Sequence, residues 1–239
     1  MTSSIGQKLV MSLTGLFLIS FLVVHLAGNF QLLAADNGES FNIYAHFMAN
    51  NPLIKTISWG LYAGILLHAV QGLMLWWKNR AARGPKKYAV TATRGAKGVA
   101  SNAAKRMAIL GTLVLAFLFI HMGDFWWASK WSGEGGLPPV TYDGVAYKNL
   151  YTKVWASFKQ EWIVIAYLIG LVALALHLRH GFWSAFQTLG LNHPRWTPLI
   201  KSVGLIISII IPLAYAVIPV YMYFTLPEPT NLPDMGGLF

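Results

Sequence analysis

Apolar residues run along this chain in five long, nearly uninterrupted stretches, without the rhythm of a helix that has one wet face. The stretches fall near residues 9–33, 53–77, 106–128, 161–186 and 198–226. Each is long enough to cross a hydrocarbon layer of about 30 Å, which takes roughly 20 helical residues. The pattern predicts an all-α fold, an integral membrane bundle of five transmembrane helices. Residues 1–239 form a single domain in this reading, with no internal repeat. Turn chemistry marks two of the helix starts. Asn51 before Pro52 and Thr197 before Pro198 each predict an N-cap followed by proline at the first helical position. Pro212 and Pro219 predict a bend in the fifth span. The first apolar run is long and lacks a small-residue cleavage site, so no signal peptide is expected.

Composition agrees with a lipid solvent. The chain is 56% hydrophobic and 11% charged, where soluble domains carry about 25% charged residues. It has no cysteine, which excludes disulfides, thiolate metal sites and iron–sulfur ligation by this chain. A metal would have to be held by His, carboxylate or Met. The formal charge of +10 would suit nucleic acid if it were spread over a surface, but most of it is concentrated in one segment. Lys78, Arg80, Arg83, Lys86, Lys87, Arg94, Lys97, Lys105 and Arg106 fall within residues 78–106, where there is no acid. That reads as a cytoplasmic loop facing lipid headgroups. Asp36 and Glu39 lie between the first two spans, charges are mixed between the third and fourth, and only Glu228 and Asp234 follow the fifth. The N-terminus is therefore expected in the cytoplasm and the C-terminus outside. The loop 129–160, with its GEGG, PP and YDG turns and many Trp and Tyr, is expected on the outer interface.

Seven histidines are present. His46 and His193 fall in predicted loops, where solvation or a local hydrogen bond explains them as well as a role does. His25, His68, His121 and His177 fall within four different spans, one in each. Ionisable side chains inside a membrane segment are costly and mark function. Depth sorts them into pairs. His25 lies 17 residues beyond Lys8 and His121 lies 15 beyond Arg106, or about 25 and about 22 Å from the inner edge at the helical rise. His68 is 13 residues past Lys55 and His177 is 16 past Glu161, roughly 20–24 Å from the outer edge. The expectation is His25 with His121 towards the outside and His68 with His177 towards the inside. One tetrahedral site would need all four at one level. Two bis-imidazole sites suit haem iron, because a flat macrocycle can slot between helices and take an axial ligand from each side. Gly64 and Gly72 flank His68, Gly170 and Gly181 flank His177, and Gly28 follows His25. They are expected to leave room for the rings, with close helix packing as the alternative. No C-x-x-C-H sequence is present, so each haem would be non-covalent haem b.

SIGQKLVMSLTG at 4–15, HLAGN at 25–29, LHAVQG at 67–72 and HLRHGFW at 177–183, in this order across five helices, resemble the dihaem cytochrome b subunit of succinate:quinone oxidoreductases. That family is shared by succinate dehydrogenase and fumarate reductase (respiratory complex II), and the resemblance covers essentially the whole chain. It implies a multi-pass anchor in a bacterial cytoplasmic membrane that performs no succinate chemistry itself. It also implies an iron–sulfur subunit and, through it, a flavoprotein on the cytoplasmic face, with menaquinone reacting near the outer haem. The H-x-x-x-G of the fourth span selects His177 as the ligand. His180 stands where an Asn is common in relatives, and is left as a neighbour near the inner surface. Direction, succinate oxidation or fumarate reduction, is not specified.

Three further assignments come from chemistry. A quinone carbonyl needs hydrogen-bond donors and protonatable groups, for which Glu39, Asn42 and His46 in the first outer loop, and Asp124 past His121, are candidates. Haem propionates of the inner site need cations, and Arg179, Arg106 and Lys8 are candidates. Arginine pairs a carboxylate through two hydrogen bonds, so Arg179 or Arg106 should contribute more than Lys8, with Ser4 and Lys8 facing the iron–sulfur subunit. Spans 1, 2 and 4 hold no buried carboxylate, so no transmembrane proton path is assigned. Two other functions fit the same sequence. One is the dihaem cytochrome b of a hydrogenase or formate dehydrogenase, which co-purifying subunits would distinguish. The other is a haem-free transporter, which would lack a b-type spectrum.

Overall fold

The computed structural model describes residues 3–83, 106–131, 137 and 139–229. Lys86, Lys87, Arg94, Lys97 and Lys105 of the basic loop, the GEGG turn at 133–136 and Asp234 lie outside them. The protein is mostly helical. Helix α1 (Ser4–Asn29) ends in a 3-10 turn (Phe30–Leu33), and is followed by α2 (Glu39–Asn50) and α3 (Pro52–Arg83). Helix α4 (Met107–His121) continues through a π-helical stretch (Met122–Trp127) into the short α5 (Ala128–Trp131). After a hairpin of β1 (Pro139–Tyr142) and β2 (Val145–Lys148) come α6 (Leu150–Phe158), α7 (Glu161–Thr188) and α8 (Thr197–Phe224).

Five helical segments are long and apolar enough to cross a membrane: Ile5–Leu33, Pro52–Ala82, Met107–Lys130, Glu161–Thr188 and Thr197–Phe224. They coincide with the five expected spans, with ends differing by up to five residues. Large apolar side chains stay on the surface along them, including Trp59, Phe119 and Phe224, each more than 70% exposed. Water would penalise such a surface, whereas lipid does not. Hydroxyls within these helices bond backward to carbonyls of the preceding turn, as Ser12 does to Lys8 and Ser58 to Ile54. That removes them from the need for water.

Three expectations need correction. The fold is not purely α, because Asp143 and Gly144, both at positive φ, close the antiparallel hairpin that pairs Tyr142 with Val145. The YDG turn was visible in sequence, but short strands flanking it were not. The segment between the first two spans contains helix α2, so His46 is helical rather than in a loop. At α3 the expected cap is present, with Asn51 Oδ1 accepting from the N–H groups of Leu53 and Ile54. At α8 it is not. Thr197 is already helical and donates its hydroxyl to Asn192 Oδ1. The carbonyl of His193 takes the N–H of Thr197 instead. Helix α8 runs unbroken through Pro212 and Pro219.

The chain forms two compact units. One comprises Met1–Leu22, Gly60–Leu115 and Val172–Pro212, the other Val23–Trp59, Ala116–Leu171 and Leu213–Phe239. In the first, Leu110 and Ala173 are buried together with Met107, Val114 and Leu176 around them. Lys78 donates to the buried Gln7 Oε1 at 3.1 Å, tying the end of α3 to the start of α1. The second has the larger core, in which Phe41, Tyr151, Val154, Phe158, Val164, Tyr167, Ile218 and Met222 are packed together. Its cap is stapled by Asn42. The Asn42 amide donates to Tyr142 Oη at 3.0 Å and to Asn149 Oδ1 at 3.2 Å. Its Oδ1 accepts from the N–H of Tyr151 at 2.9 Å. Gly38 sits at φ 87° directly under the Tyr151 ring, where a Cβ would lie 2.1 Å from it. Lys159 donates to the carbonyls of Tyr223 and Leu226, closing the C-terminal end of α8.

Asn42→Ala strands the buried N–H of Tyr151, a loss costing about 1–3 kcal/mol, and removes a donor from Tyr142 and Asn149. The variant should open the cap to proteolysis between α1 and α3, and lower the melting temperature of the detergent-solubilised protein. An unchanged digestion pattern would contradict the staple.

Candidate functional site: two imidazole pairs

The four span histidines come together two by two, as their depths predict. Within the first unit the rings of His68 (α3) and His177 (α7) lie 6.1 Å apart centre to centre, inclined at 68°. Within the second, His25 (α1) and His121 (end of α4) lie 5.8 Å apart at 82°. Metal–imidazole bonds of about 2 Å on each side, with each ring centre roughly 1 Å behind its nitrogen, place two axial imidazole centres roughly 6 Å apart. Both pairs have that spacing. Among the described residues no three His, Asp or Glu side chains converge to hold an ion. Each pair could offer two imidazoles, the number left open on a metal whose other positions are filled by a macrocycle.

The surroundings of the two pairs differ. His121 stacks on Phe117 and meets Phe125 and Tyr167 edge-on, and its Nδ1 is 3.1 Å from Tyr167 Oη. His25 lies against Tyr215, with the Asn29 amide 3.2 Å from its Nδ1. In the other pair, His68 Nδ1 is 3.1 Å from Thr14 Oγ1. The buried Nδ1 of His177 has no hydrogen-bond partner among the described residues. A ligating imidazole characteristically gives its second N–H to a partner that fixes ring and tautomer. Thr14 and Tyr167 fill that position. Neither was singled out from sequence, because a hydroxyl 54 or 46 residues away from its histidine leaves no spacing signal.

The glycines divide in a way the sequence did not show. A Cβ on Gly28 would strike Tyr44 at 2.5 Å, on Gly170 Phe117 at 2.5 Å, and on Gly64 Phe17 at 3.2 Å. These three serve close packing. Gly72 has only ordinary contact with Met11, and Gly181 faces nothing within 4 Å. The glycines that face an imidazole stand on the helices opposite: a Cβ on Gly15 would lie 3.3 Å from His68 Cε1, and one on Gly111 3.7 Å from His177 Cε1.

The remaining candidates are dispersed. Arg179 and His180 are half-buried beside His177, whereas Lys8 and Arg106 are exposed. Glu39, Asn42 and His46 share one face of α2 by their spacing. Asn42 donates both its amide hydrogens to the hairpin and α6, and the exposed His46 ring rests edge-on against Tyr147 at 5.1 Å. Asp124, turned by the π-helical stretch, accepts at Oδ1 from Lys153 Nζ at 2.9 Å and Ser157 Oγ at 3.0 Å. Its Oδ2 is buried with no hydrogen-bond partner among the described residues. His193 holds the N–H of Arg195, a local bond that accounts for it.

No family model, curated protein or solved structure matches the chain.

Gly15→Ala must displace the His68 ring by a few tenths of an ångström, whereas Gly111→Ala meets only ordinary contact at His177. If these pairs hold haem, Gly15→Ala should lower the haem bound per chain and Gly111→Ala should leave it unchanged, as read from the absorbance ratio of haem to protein. Equal behaviour of the two variants would contradict this placement of His68.

Proposed function

We propose that the chain is the dihaem cytochrome b anchor of a succinate:quinone oxidoreductase, passing electrons between an iron–sulfur subunit and a membrane quinone. The observation that carries this reading is the ring spacing of 5.8 and 6.1 Å in two separate histidine pairs. The sequence resemblance supplies the choice of complex. The five apolar helices support a multi-pass position in the membrane, which we take to be the bacterial cytoplasmic membrane. The basic segment 78–106 is placed inside, with the N-terminus inside and the C-terminus outside. In that orientation the His68–His177 pair is the inner site, near the iron–sulfur subunit and its flavoprotein. The His25–His121 pair is the outer site, near menaquinone.

Haem b would supply one-electron chemistry at each pair. His68 and His177 would hold the inner group and His25 and His121 the outer one, each through a neutral ring nitrogen. Thr14 and Tyr167 orient one ring of each pair. The aromatic shell of Phe117, Phe125 and Tyr167 excludes water from His121. Arg179, half-buried next to the His177 turn, is the best-placed propionate partner, while Arg106 and Lys8 are open to docking or headgroups. On the quinone side Asp124 Oδ2 is an acceptor without a partner among the described residues. Glu39 and His46 remain candidates, and Asn42 has both amide hydrogens engaged.

A pyridine haemochrome assay on the complex should return two haems b per copy of this chain, and one or none would sink the reading. His68→Ala or His177→Ala should remove the inner haem and spare the outer spectrum. His25→Ala or His121→Ala should do the reverse, and His180→Ala should keep both. Co-purification of an iron–sulfur protein and a flavoprotein active on succinate separates this anchor from those of other dehydrogenases.

Arg179→Gln should lower the midpoint potential of the inner haem, because loss of a nearby positive charge disfavours the added electron. Arg106→Gln should shift it less, since water and salt screen an exposed charge. Redox titration of both variants decides, and an unmoved inner potential in Arg179→Gln would place the propionates elsewhere.

A further inference from the structure

We infer that Thr14 is a positioning residue for His68, holding the imidazole proton on Nδ1 so that Nε2 presents its lone pair. The inference rests on the bis-imidazole reading and adds a residue that the ligand set does not contain. A hydroxyl has one hydrogen and two acceptor positions. The hydrogen of Thr14 is taken within its own helix, by the Val10 carbonyl at 2.7 Å, with that of Met11 at 3.2 Å. Towards His68 Nδ1, 3.1 Å away, Oγ1 can therefore only accept. The proton of that bond belongs to the ring, which leaves Nε2 unprotonated.

Gly15 makes the bond possible. The His68 ring rides over it, with Cε1 3.3 Å and Nδ1 3.7 Å from where a Cβ would stand. A side chain there would lift the imidazole from Thr14. The adjacent Thr14 and Gly15 thus act together, one supplying the acceptor and the other the approach. His177 has no such acceptor among the described residues, so the electron-donating strength of the pair is set from the His68 side. An N–H that is hydrogen-bonded makes the opposite nitrogen a stronger donor, which stabilises ferric over ferrous iron.

The test compares Thr14→Val, which keeps the shape and removes the hydroxyl, with Thr14→Ser, which keeps the hydroxyl. The inner haem is identified as the one lost in His68→Ala, and each purified complex is titrated against a redox poise. In Thr14→Val the reduced-to-oxidised ratio of the inner haem at a fixed poise should rise several-fold, up to about tenfold, the lower end of what outer partners contribute at metal sites. Loss of the inner haem from Thr14→Val alone would carry the same meaning. The outer haem should not move, and Thr14→Ser should titrate as the wild type. An unshifted inner haem in Thr14→Val would overturn the inference, as would Thr14→Ser behaving like Thr14→Val, since the residue would then matter for packing alone. A wild-type complex without haem would instead defeat the functional reading itself.

Discussion

A polar atom on an apolar helix has no water to fall back on, and its partner has to come from the chain. That constraint runs through the whole protein. Ser12, Ser58 and Thr112 turn their hydroxyls back onto carbonyls one turn earlier. Lys78 and Lys159 bring their ammonium groups to Gln7 and to the carbonyls of Tyr223 and Leu226. Asn42 ties α2 to the hairpin and to the start of α6 through one amide. Imidazole is the hardest side chain to satisfy in this way, because one ring nitrogen is a donor and the other an acceptor. Pairing two imidazoles does not solve the problem by itself. Each pair still has ring nitrogens to satisfy, and an iron between the rings is one chemistry that would use their lone pairs.

Features that depend on a single element were legible in the sequence. The five spans follow from the length of the apolar runs. The pairing of His25 with His121 and His68 with His177 follows from counting residues along straight helices. What escaped depends on contacts between elements. Helix α2 carries His46 and Asn42 in a stretch too polar to stand out from a loop. The hairpin is announced by Asp143 and Gly144, but its strands, each 4 residues, carry no alternation to read. The π-helical stretch that turns Asp124 towards Lys153 and Ser157 has no sequence mark either.

The two pairs are held by different means, and this bears on how each would be tuned. His121 sits in a tight aromatic cluster, where Phe117, Phe125 and Tyr167 meet the imidazole and Phe158 packs behind them against Phe125 and Tyr167. Moving that ring means repacking the largest core of its unit, which close-packed interiors resist. His68 instead rests on Gly15 and on one hydroxyl, within a unit whose buried apolar cluster is small. Both rings have a hydroxyl at 3.1 Å, but only His121 is also enclosed by an aromatic cluster.

Glycine position shows the same distinction between sequence neighbour and spatial neighbour. Gly64 and Gly170 follow the histidine spacing on their own helices, yet the space beside them is filled by Phe17 and Phe117. Room at the ring depends on the helix across the gap. Gly15 and Gly111 stand there, and both look unremarkable in the sequence because the residue they serve lies more than 50 positions away. In a helical bundle, then, a glycine that makes room for an imidazole is to be sought opposite it. Adjacent in sequence, Thr14 and Gly15 face His68 together, which makes that dipeptide a more specific feature of the His68–His177 pair than any glycine flanking a histidine.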